Sequence, residues 1–151
     1  MIHVGFTGTR HGMRSLQHAE LRRQLLNLYR DAGLTFHHGD CVGADAEFHA
    51  IIRRDLGGWI VGHLPVDTTH RAYCDFDETR EPLKHIKRNA EIVKASSIVF
   101  ATPYEMEQQE HGGTWRTIGM ARKAKRELVI IFPDGSVKEE VHLESKPTLL
   151  F

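Results

Sequence analysis

The sequence predicts an α/β fold: a mainly parallel sheet of five strands with helices on both of its faces. Three observations support this prediction. Short apolar segments alternate with segments of helical periodicity along most of the 151-residue chain. Each apolar segment is soon followed by glycine or proline, which commonly end strands. Strands that alternate with helices imply parallel pairing, because each helix returns the chain to the edge of the sheet where the strand began.

The strands are predicted where apolar residues are continuous, which is typical of strands covered on both faces. They span residues 2–7, 34–37, 59–64, 96–101 and 128–132. Four helices are predicted between them from apolar residues at helical spacing. The helices run from Ser15 towards a stop at Gly33, over 44–56, over 84–94, and from 112–114 to Ala124.

One long stretch, residues 65–82, shows no periodicity. A structureless stretch of this length inside a compact domain is often a lid or a binding loop. Its aromatic residues Tyr73 and Phe76 have two interpretations that the sequence leaves open. They stack on the base of a ligand, or they pin the loop to the body of the domain.

The chain beyond the fifth predicted strand is weakly patterned. Val137, Val141 and Leu143 predict an edge strand within this C-terminal tail, residues 136–151. The whole chain, 1–151, is expected to form one domain, because its length suits a single core.

Composition and charge narrow the classes of partner. Twenty basic and twenty acidic residues cancel and leave no formal net charge. The chain therefore lacks the excess of positive charge that is typical of nucleic-acid-binding proteins. No apolar run is long enough to cross a membrane, and the N-terminus carries no signal peptide, so we expect a cytoplasmic protein. The two cysteines have no metal or redox spacing, and the eleven histidines are scattered. Adjacent His37 and His38 would face opposite sides of a strand, and we predict neither a metal nor a cofactor.

Three glycine-rich turns lie where a predicted strand ends or a helix begins: residues 8–12, 39–43 and 112–114. The carboxyl ends of parallel strands meet at one edge of the sheet, where ligands of such folds bind. A glycine turn that opens a helix exposes backbone N–H groups to an anion such as phosphate. Taken alone, the 39–43 turn is also consistent with a tight turn capped by aspartates, and the 8–12 turn with an ordinary loop that carries a solvated arginine. Their convergence on one edge favours a nucleotide site.

The side chains in these turns suggest which part of a nucleotide each would hold. Thr9, Arg10 and the 112–114 turn suit phosphate, because arginine can bind two of its oxygens at once. Asp40 and Asp45 suit ribose hydroxyls, which can donate to a carboxylate, or serve as helix caps.

Four segments together resemble the SLOG superfamily, which includes the DprA-like proteins and the LOG phosphoribohydrolases. The segments are GFTGTR at 5–10, GDCVGAD at 39–45, RN at 88–89 and GTW at 113–115. The resemblance covers nearly the whole chain, to about residue 133. It implies a Rossmann-like, doubly wound fold that holds a nucleotide or nucleotide-derived ligand along the same edge. It also implies a homo-oligomer, since related proteins commonly pair through helices beside the site.

The first functional hypothesis is a binding module that senses or sequesters a nucleotide or nucleotide-derived molecule. In this hypothesis Arg88 neutralises charge at the site. The predicted ligand-binding residues are Gly8, Thr9, Arg10, Gly39, Asp40, Gly43, Ala44, Asp45, Arg88, Asn89, Gly112, Gly113 and Thr114. A nucleic-acid partner, by analogy with the DprA-like proteins, is disfavoured by the neutral net charge.

The alternative hypothesis is an enzyme of the LOG type, which cleaves the N-glycosidic bond of a nucleoside 5′-monophosphate. Arg88 matches the arginine of the LOG signature, but Thr117 stands where that signature has a glutamate. Glu110 and His111 stand where it has two glycines. A threonine hydroxyl cannot stabilise an oxocarbenium-like centre as a carboxylate does. The candidate catalytic residues are therefore Arg88, Glu110 and Asp45, with Asp40 as a further carboxylate.

Overall fold

The computed structural model of the protein describes residues 1–28 and 33–141. Strands and helices alternate along most of it, except that β4 follows β3 and β7 follows β6 directly. One wider turn of π type, Ile52–Leu56, continues the second helix. The elements are β1 (Ile2–Gly8), α1 (Ser15–Leu26), β2 (Leu34–His38), α2 (Ala44–Ile51), β3 (Trp59–Pro65), β4 (Glu78–Leu83), α3 (His85–Ala95), β5 (Ile98–Thr102), α4 (Gly113–Lys123), β6 (Glu127–Ile131) and β7 (Val137–Glu140).

Within the described residues the sheet has seven strands in the order β4-β3-β2-β1-β5-β6-β7, and all pairs are parallel except β6 with β7. The mainly parallel α/β fold is confirmed, but the predicted count of five strands is wrong. The additional strands are the two edges of the sheet. β4 lies within the stretch predicted as a loop, and β7 confirms an edge strand in the tail. Of the residues that predicted this edge strand, Leu143 lies outside the described residues.

Helices cover both faces of the sheet, as predicted. One apolar cluster joins α1 and α2 to the sheet through Leu21, Leu25 and Phe48, among others. A second joins α3 and α4 to the opposite face through Val93 and Ile118. Successive residues of β5 alternate between the two clusters, as the pleat of a strand requires. Among the described residues, no helix is both long and apolar enough to cross a membrane.

The chain changes direction in the sheet at β1. From β1 it adds β2, β3 and β4 on one side, and it then crosses back to place β5 on the other side of β1. The connections that follow β1 and β5 therefore diverge and leave a crevice at the carboxyl ends of these two strands. In open α/β sheets such a switch point is the usual position of a ligand site.

Candidate functional site

An open cleft of about 510 Å³ occupies this switch point. One wall is the turn after β1, and another is the amino end of α4. The start of α3 and a connection that we call the strap, residues 66–77 between β3 and β4, complete it. The cleft thus forms where the sequence predicted a site.

Most of the predicted binding residues line this cleft. Those that do are Gly8, Thr9, Arg10, Gly39, Asp45, Arg88, Asn89, Gly112, Gly113 and Thr114. Asp40, Gly43 and Ala44 are not part of its lining, and neither is the candidate catalytic residue Glu110. The turn after β1 and the α4 turn therefore open on the cleft, whereas the turn after β2 contributes only part of its length.

The amino end of α4 is the most accessible part of the cleft wall. Gly112 has a φ of 101°, and a Cβ built on Gly112 or Gly113 would meet no other atom within 4 Å. The first turn holds no acidic side chain. Its first intrahelical bond runs from the Arg116 N–H to the Gly112 carbonyl, 3.0 Å. The N–H groups before Arg116 have no intrahelical partner, which makes this end attractive to an anion.

Thr117, at the position of the LOG glutamate, does not reach the cleft. Its side chain is fully buried, and its hydroxyl donates to the Gly113 carbonyl at 2.8 Å. This bond occupies the hydroxyl within the first turns of α4. At this position the chain therefore lacks the carboxylate of the LOG signature.

Among the described residues, three arginines line the cleft, and they differ in whether other residues bind their guanidinium groups. Arg10 and Arg116 make no side-chain hydrogen bond or ion pair with another residue in the described part of the chain. The buried guanidinium of Arg88, in contrast, contacts four protein acceptors. These are the Asn89 Oδ1 at 2.7 Å, the Gly39 carbonyl at 2.8 Å, the His63 carbonyl at 3.3 Å and the His85 Nδ1 at 3.2 Å. Arg88 therefore supplies positive charge but has few N–H groups left for a ligand.

The glycine at position 39 is required by Arg88. A Cβ on Gly39 would lie 2.7 Å from the Arg88 Nη1 atom, which is closer than real Cβ contacts allow. The sequence pattern attributed this glycine to ligand access. In the structure it admits a buried arginine of the same chain.

Asp40 faces away from the cleft. Its side chain is fully buried, and both carboxylate oxygens accept hydrogen bonds from the strap. The Arg71 Nε donates to Oδ2 at 2.6 Å, and the Cys74 N–H donates to Oδ1 at 2.9 Å. The predicted role of Asp40 as a hook for ribose is therefore not compatible with its position.

Gly43 and Ala44 join the turn after β2 to the turn after β1. Gly43 has a φ of 87°, and a Cβ there would lie 2.4 Å from the Arg10 carbonyl oxygen. The Ala44 N–H donates to the Thr9 carbonyl at 2.9 Å. These two residues shape the cleft from behind its lining.

Asp45 is the acidic residue of this turn that does line the cleft. Its carboxylate accepts the Cys41 N–H at 3.0 Å, and only 6% of its surface is exposed. Burial, with a smaller contribution from Asp40, raises the pKa of Asp45 to about 6. Asp45 can thus accept a hydrogen bond or exchange a proton near neutral pH. Burial also raises the pKa of the neighbouring Cys41 thiol to about 11, so that thiol is not an activated nucleophile.

Several cleft residues have no counterpart in the sequence-based prediction. The strap brings Asp67 and His70 to the cleft, and the start of α3 brings His85. Burial and the Arg88 charge lower the pKa of His85. Tyr104 lies beside His11, with ring centroids 4.9 Å apart. Asp67, His70, His85 and Tyr104 lie outside the three glycine turns, so the pattern of glycine turns could not indicate them.

Of the two aromatic residues of the strap, Phe76 pins it to the body of the protein, whereas Tyr73 contacts another strap residue. Phe76 packs against the rings of His38 and His49, with centroids 4.9 and 5.2 Å apart. Tyr73 is 65% exposed and lies under the Arg71 guanidinium, 4.2 Å away. Neither lines the cleft. The structure therefore favours the pinning interpretation over base stacking.

A second cluster, away from the cleft, has the composition of a metal site. One ligating atom from each of His38, His49 and Cys74 lies within 4.8 Å of the others. However, the His38 Nδ1 accepts the Asp40 N–H at 3.0 Å, so a neutral His38 carries its proton on Nε2. That proton faces the His49 Nδ1 at 2.8 Å, and the His49 Nε2 faces the Asp75 carboxylate at 2.8 Å. The cluster is a closed hydrogen-bond chain, and a metal would have to break it.

His37 lies on the opposite face of β2 from His38, as the strand pattern predicted. It contacts the rings of His3 and His63, each through a nitrogen–nitrogen distance of 2.9 Å. Burial, and next the neighbouring histidine, lower the pKa of His37 to about 4 and that of His63 to about 3. This face of the sheet therefore contains neutral imidazoles at neutral pH.

The fold and the cleft together define a class: Rossmann-like α/β proteins with an open cleft at the switch point of the sheet. No protein-family profile matches the chain, and no curated protein is detectably similar to it in sequence. Solved structures do share its fold. The molybdenum cofactor binding protein from the phototrophic bacterium Rippkaea orientalis matches with a TM-score of 0.62 and 21% identity, over 87% of this chain and 76% of that chain.

Two further structures agree with this assignment. The molybdenum cofactor carrier protein from Chlamydomonas reinhardtii matches with a TM-score of 0.60 and 21% identity, over 86% of this chain and 76% of that one. The structural-genomics target TM1055 matches with a TM-score of 0.60 and 17% identity, over 85% and 72% of the two chains. At these identities the similarity shows a common fold, and a fold hosts many functions.

Proposed function

We propose that the cleft binds a nucleotide or nucleotide-derived ligand, and that the protein senses or sequesters this ligand. The observation that carries the proposal is the combination at one end of the cleft. The acid-free amino end of α4 opens on the same space as Arg10 and Arg116, whose guanidinium groups have no partner among the described residues. Unpartnered arginines beside a free helix end suit a phosphate.

The other cleft residues suit the remainder of such a ligand. Asp45 can accept hydrogen bonds from ribose hydroxyls, since its carboxylate lines the cleft and its contacts with the backbone N–H groups of Cys41 and Gly39 leave further acceptor capacity. Arg88 contributes charge to the cleft wall, and its guanidinium is held mainly by protein acceptors. The exposed ring of Tyr104 offers a surface on which a planar base can stack.

Calorimetric titration tests the phosphate end directly. We expect adenosine 5′-monophosphate (AMP) to bind and to raise the melting temperature by mass action, and adenosine to bind much more weakly. Arg10→Gln and Arg116→Gln should each weaken AMP binding about tenfold, the value of one charge-assisted hydrogen bond. Arg54→Gln is the matched control, because Arg54 is exposed and lies outside the cleft lining.

The same titration can reject the proposal. Equal affinity for adenosine and AMP would contradict the phosphate position. Absence of binding by mono-, di- and cyclic nucleotides, NAD and ADP-ribose would contradict the ligand class. The molybdenum cofactor belongs in the same panel, since two proteins of this fold are named for binding or carrying it.

A second candidate function, N-glycoside hydrolysis of a nucleoside 5′-monophosphate, is favoured by one observation: Asp45 places a carboxyl group of pKa about 6 in the cleft. In this reaction the N-glycosidic bond breaks, the base leaves with a proton from a carboxylic acid, and water adds to the anomeric carbon and returns a proton to the carboxylate. Asp45 is preferred here over Glu110, which does not line the cleft.

Chromatography of AMP incubated with the protein separates the two functions. Release of free adenine that Asp45→Asn abolishes, while AMP still binds, would identify the protein as a hydrolase. Binding without release of adenine would support the sensing or sequestering function. The predicted homo-oligomer remains a separate proposal, which light scattering of the purified protein tests.

A further inference from the structure

We propose that Asp40 is a positioning residue that holds the strap in place as a preformed wall of the cleft. Asp40 would thereby set the affinity of the cleft without touching the ligand. The part of this inference that concerns affinity rests on the proposed binding function. The part that concerns the strap does not.

Every polar group of Asp40 is directed inward. Its backbone N–H donates to the His38 Nδ1, and its carbonyl accepts the Ala72 N–H at 2.8 Å. Its carboxylate accepts the Arg71 Nε and the Cys74 N–H. Its φ of 59° is left-handed, a conformation that only glycine, asparagine and aspartate adopt readily. One residue thus makes three of the contacts that join the strap to the end of β2.

The strap has few other constraints near the cleft. The Val42 N–H donates to the His70 carbonyl at 2.8 Å, and Cys41 and Arg71 form an isolated antiparallel bridge. The far end of the strap is held separately, where Arg53 contacts the Asp75 carbonyl and the Asp77 carboxylate. The position of the segment between these anchors depends on the turn that contains Asp40.

This segment changes the chemistry of the cleft. It presents Asp67 and His70. These residues add a carboxylate and an imidazole to a cleft that is also lined by three arginines. The Asp67 carboxylate is itself ordered by the Thr69 N–H and hydroxyl, at 3.0 and 2.6 Å. A displaced strap would remove both groups from the cleft together.

The energetics of the ion pair between Asp40 and Arg71 favour a role in positioning the strap over a role in stabilising the fold. Asp40 and Arg71 form a buried ion pair, and taking two charges out of water offsets much of their attraction. Such a pair adds little net stability, but it fixes geometry, because a misplaced partner leaves a charge buried without compensation. A carboxylate at this position therefore holds the strap in one place.

Hydrogen–deuterium exchange of the ligand-free protein tests the strap. Asparagine is the substitution of choice at position 40, since it tolerates the left-handed conformation and keeps one acceptor oxygen. Asp40→Asn should accelerate exchange at Ala72 and Cys74 at least about tenfold, as expected for loss of a hydrogen bond to a charged group. Exchange in α1 and β6 should not change.

Two further variants provide a control and a second test of the strap. Asp134→Asn is the matched control: Asp134 also accepts bonds from a nearby backbone and hydroxyl, but it lies in the exposed turn between β6 and β7. Arg71→Met removes the same ion pair from the strap side and gives the same test if Asp40→Asn fails to fold. Unchanged strap exchange in the folded variants would overturn the inference.

A double-mutant cycle with AMP tests the link to affinity. We expect Asp40→Asn to weaken AMP binding about tenfold, and His70→Ala to weaken it by a similar factor. If Asp40 acts through the strap, the double variant should lose less affinity than the product of the two single losses, because Asp40→Asn already displaces His70. Full additivity would overturn the positioning role. Failure of the wild-type protein to bind AMP or any other nucleotide of the panel would instead contradict the proposed function, and the exchange experiment alone would then decide the role of Asp40.

Discussion

The turn after β2 and the turn that opens α4 have nearly the same signature in the sequence and opposite roles in the structure. Both are glycine-rich, and both lie at the carboxyl edge of the sheet. In the first, residues 39–43, glycines admit a buried arginine and a backbone carbonyl of the same chain. In the second, Gly112 and Gly113 have open space above them. A glycine turn therefore indicates close approach, but the approaching group can be a ligand or the protein itself.

The largest expected effect comes from a methyl group placed in the first turn. Gly43→Ala should lower the free energy of unfolding by about 3 kcal/mol, because the left-handed φ and the contact with the Arg10 carbonyl both oppose a Cβ. Urea denaturation at neutral pH measures this loss.

Gly57→Ala separates the two causes. Gly57 also has a left-handed φ, 77°, but no other atom lies within 4 Å of a Cβ there. Its loss should be about 1 kcal/mol, the conformational term alone. Equal losses in the two variants would mean that close packing is not what distinguishes the turn after β2.

Acid should destabilise β2 and β3, next to the first turn, before it destabilises α4, which the second turn opens. The lowered pKa values of His37 and His63, about 4 and about 3, mean that the unfolded chain binds protons more readily than the native protein below pH 6.5. The stability due to these neutral rings is complete above pH 6.5 and is lost as the pH falls towards 4. We expect these two rings together to lower the free energy of unfolding by about 3 kcal/mol between pH 6.5 and pH 5.

Urea denaturation at a series of pH values measures this decrease. A His37→Gln/His63→Gln variant should show a shallower slope over the same range. An unchanged slope would assign the acid sensitivity to other groups. Exchange measured at pH 5 should rise in β2 and β3 before it rises in α4.

The contrast between the turns also explains how far the sequence could predict the fold. The central strands are continuous apolar runs, so the sequence predicted them and their order along the chain. The edge strands β4 and β7 consist mostly of polar residues, ETREPL and VKEE, because they face solvent. Polar edge strands carry no apolar pattern, and only their pairing with β3 and β6 defines them.

The candidate site was predictable only as a location. Converging turns indicated the cleft, and Arg10, Asp45 and the α4 turn lie in it. The sequence did not reveal that Asp40 binds a strap residue 31 positions away. A local motif records which backbone shapes are allowed, but it does not record which distant segment folds against them.

Asp45, just after the first turn, tests whether this region supplies a functional side chain as well as a backbone conformation. Its raised pKa of about 6 means that the buried charge opposes folding above pH 6, and that this cost disappears as the pH falls towards 4. Asp45→Asn should therefore raise the free energy of unfolding by about 1–2 kcal/mol at pH 8 and weaken AMP binding. Asp134→Asn, an exposed counterpart, should give no such gain. A loss of stability at pH 8 would show that Asp45 serves only as a structural hydrogen-bond acceptor.

The smallest expected change in stability makes the sharpest test of the second turn. Gly113→Ala places a methyl group in open space at the first helical position of α4, so it should raise the free energy of unfolding by about 0.5 kcal/mol. The same methyl group projects beside the free N–H groups of the helix end and should weaken AMP binding. Gly119→Ala, in the same helix and also in open space, lies outside the cleft and should give the gain in stability alone. If both variants bind AMP as the wild type does, the α4 turn is open for a reason other than phosphate. If only Gly113→Ala loses affinity, its glycine is retained for a ligand at a small cost in stability, whereas Gly43 is retained for the fold.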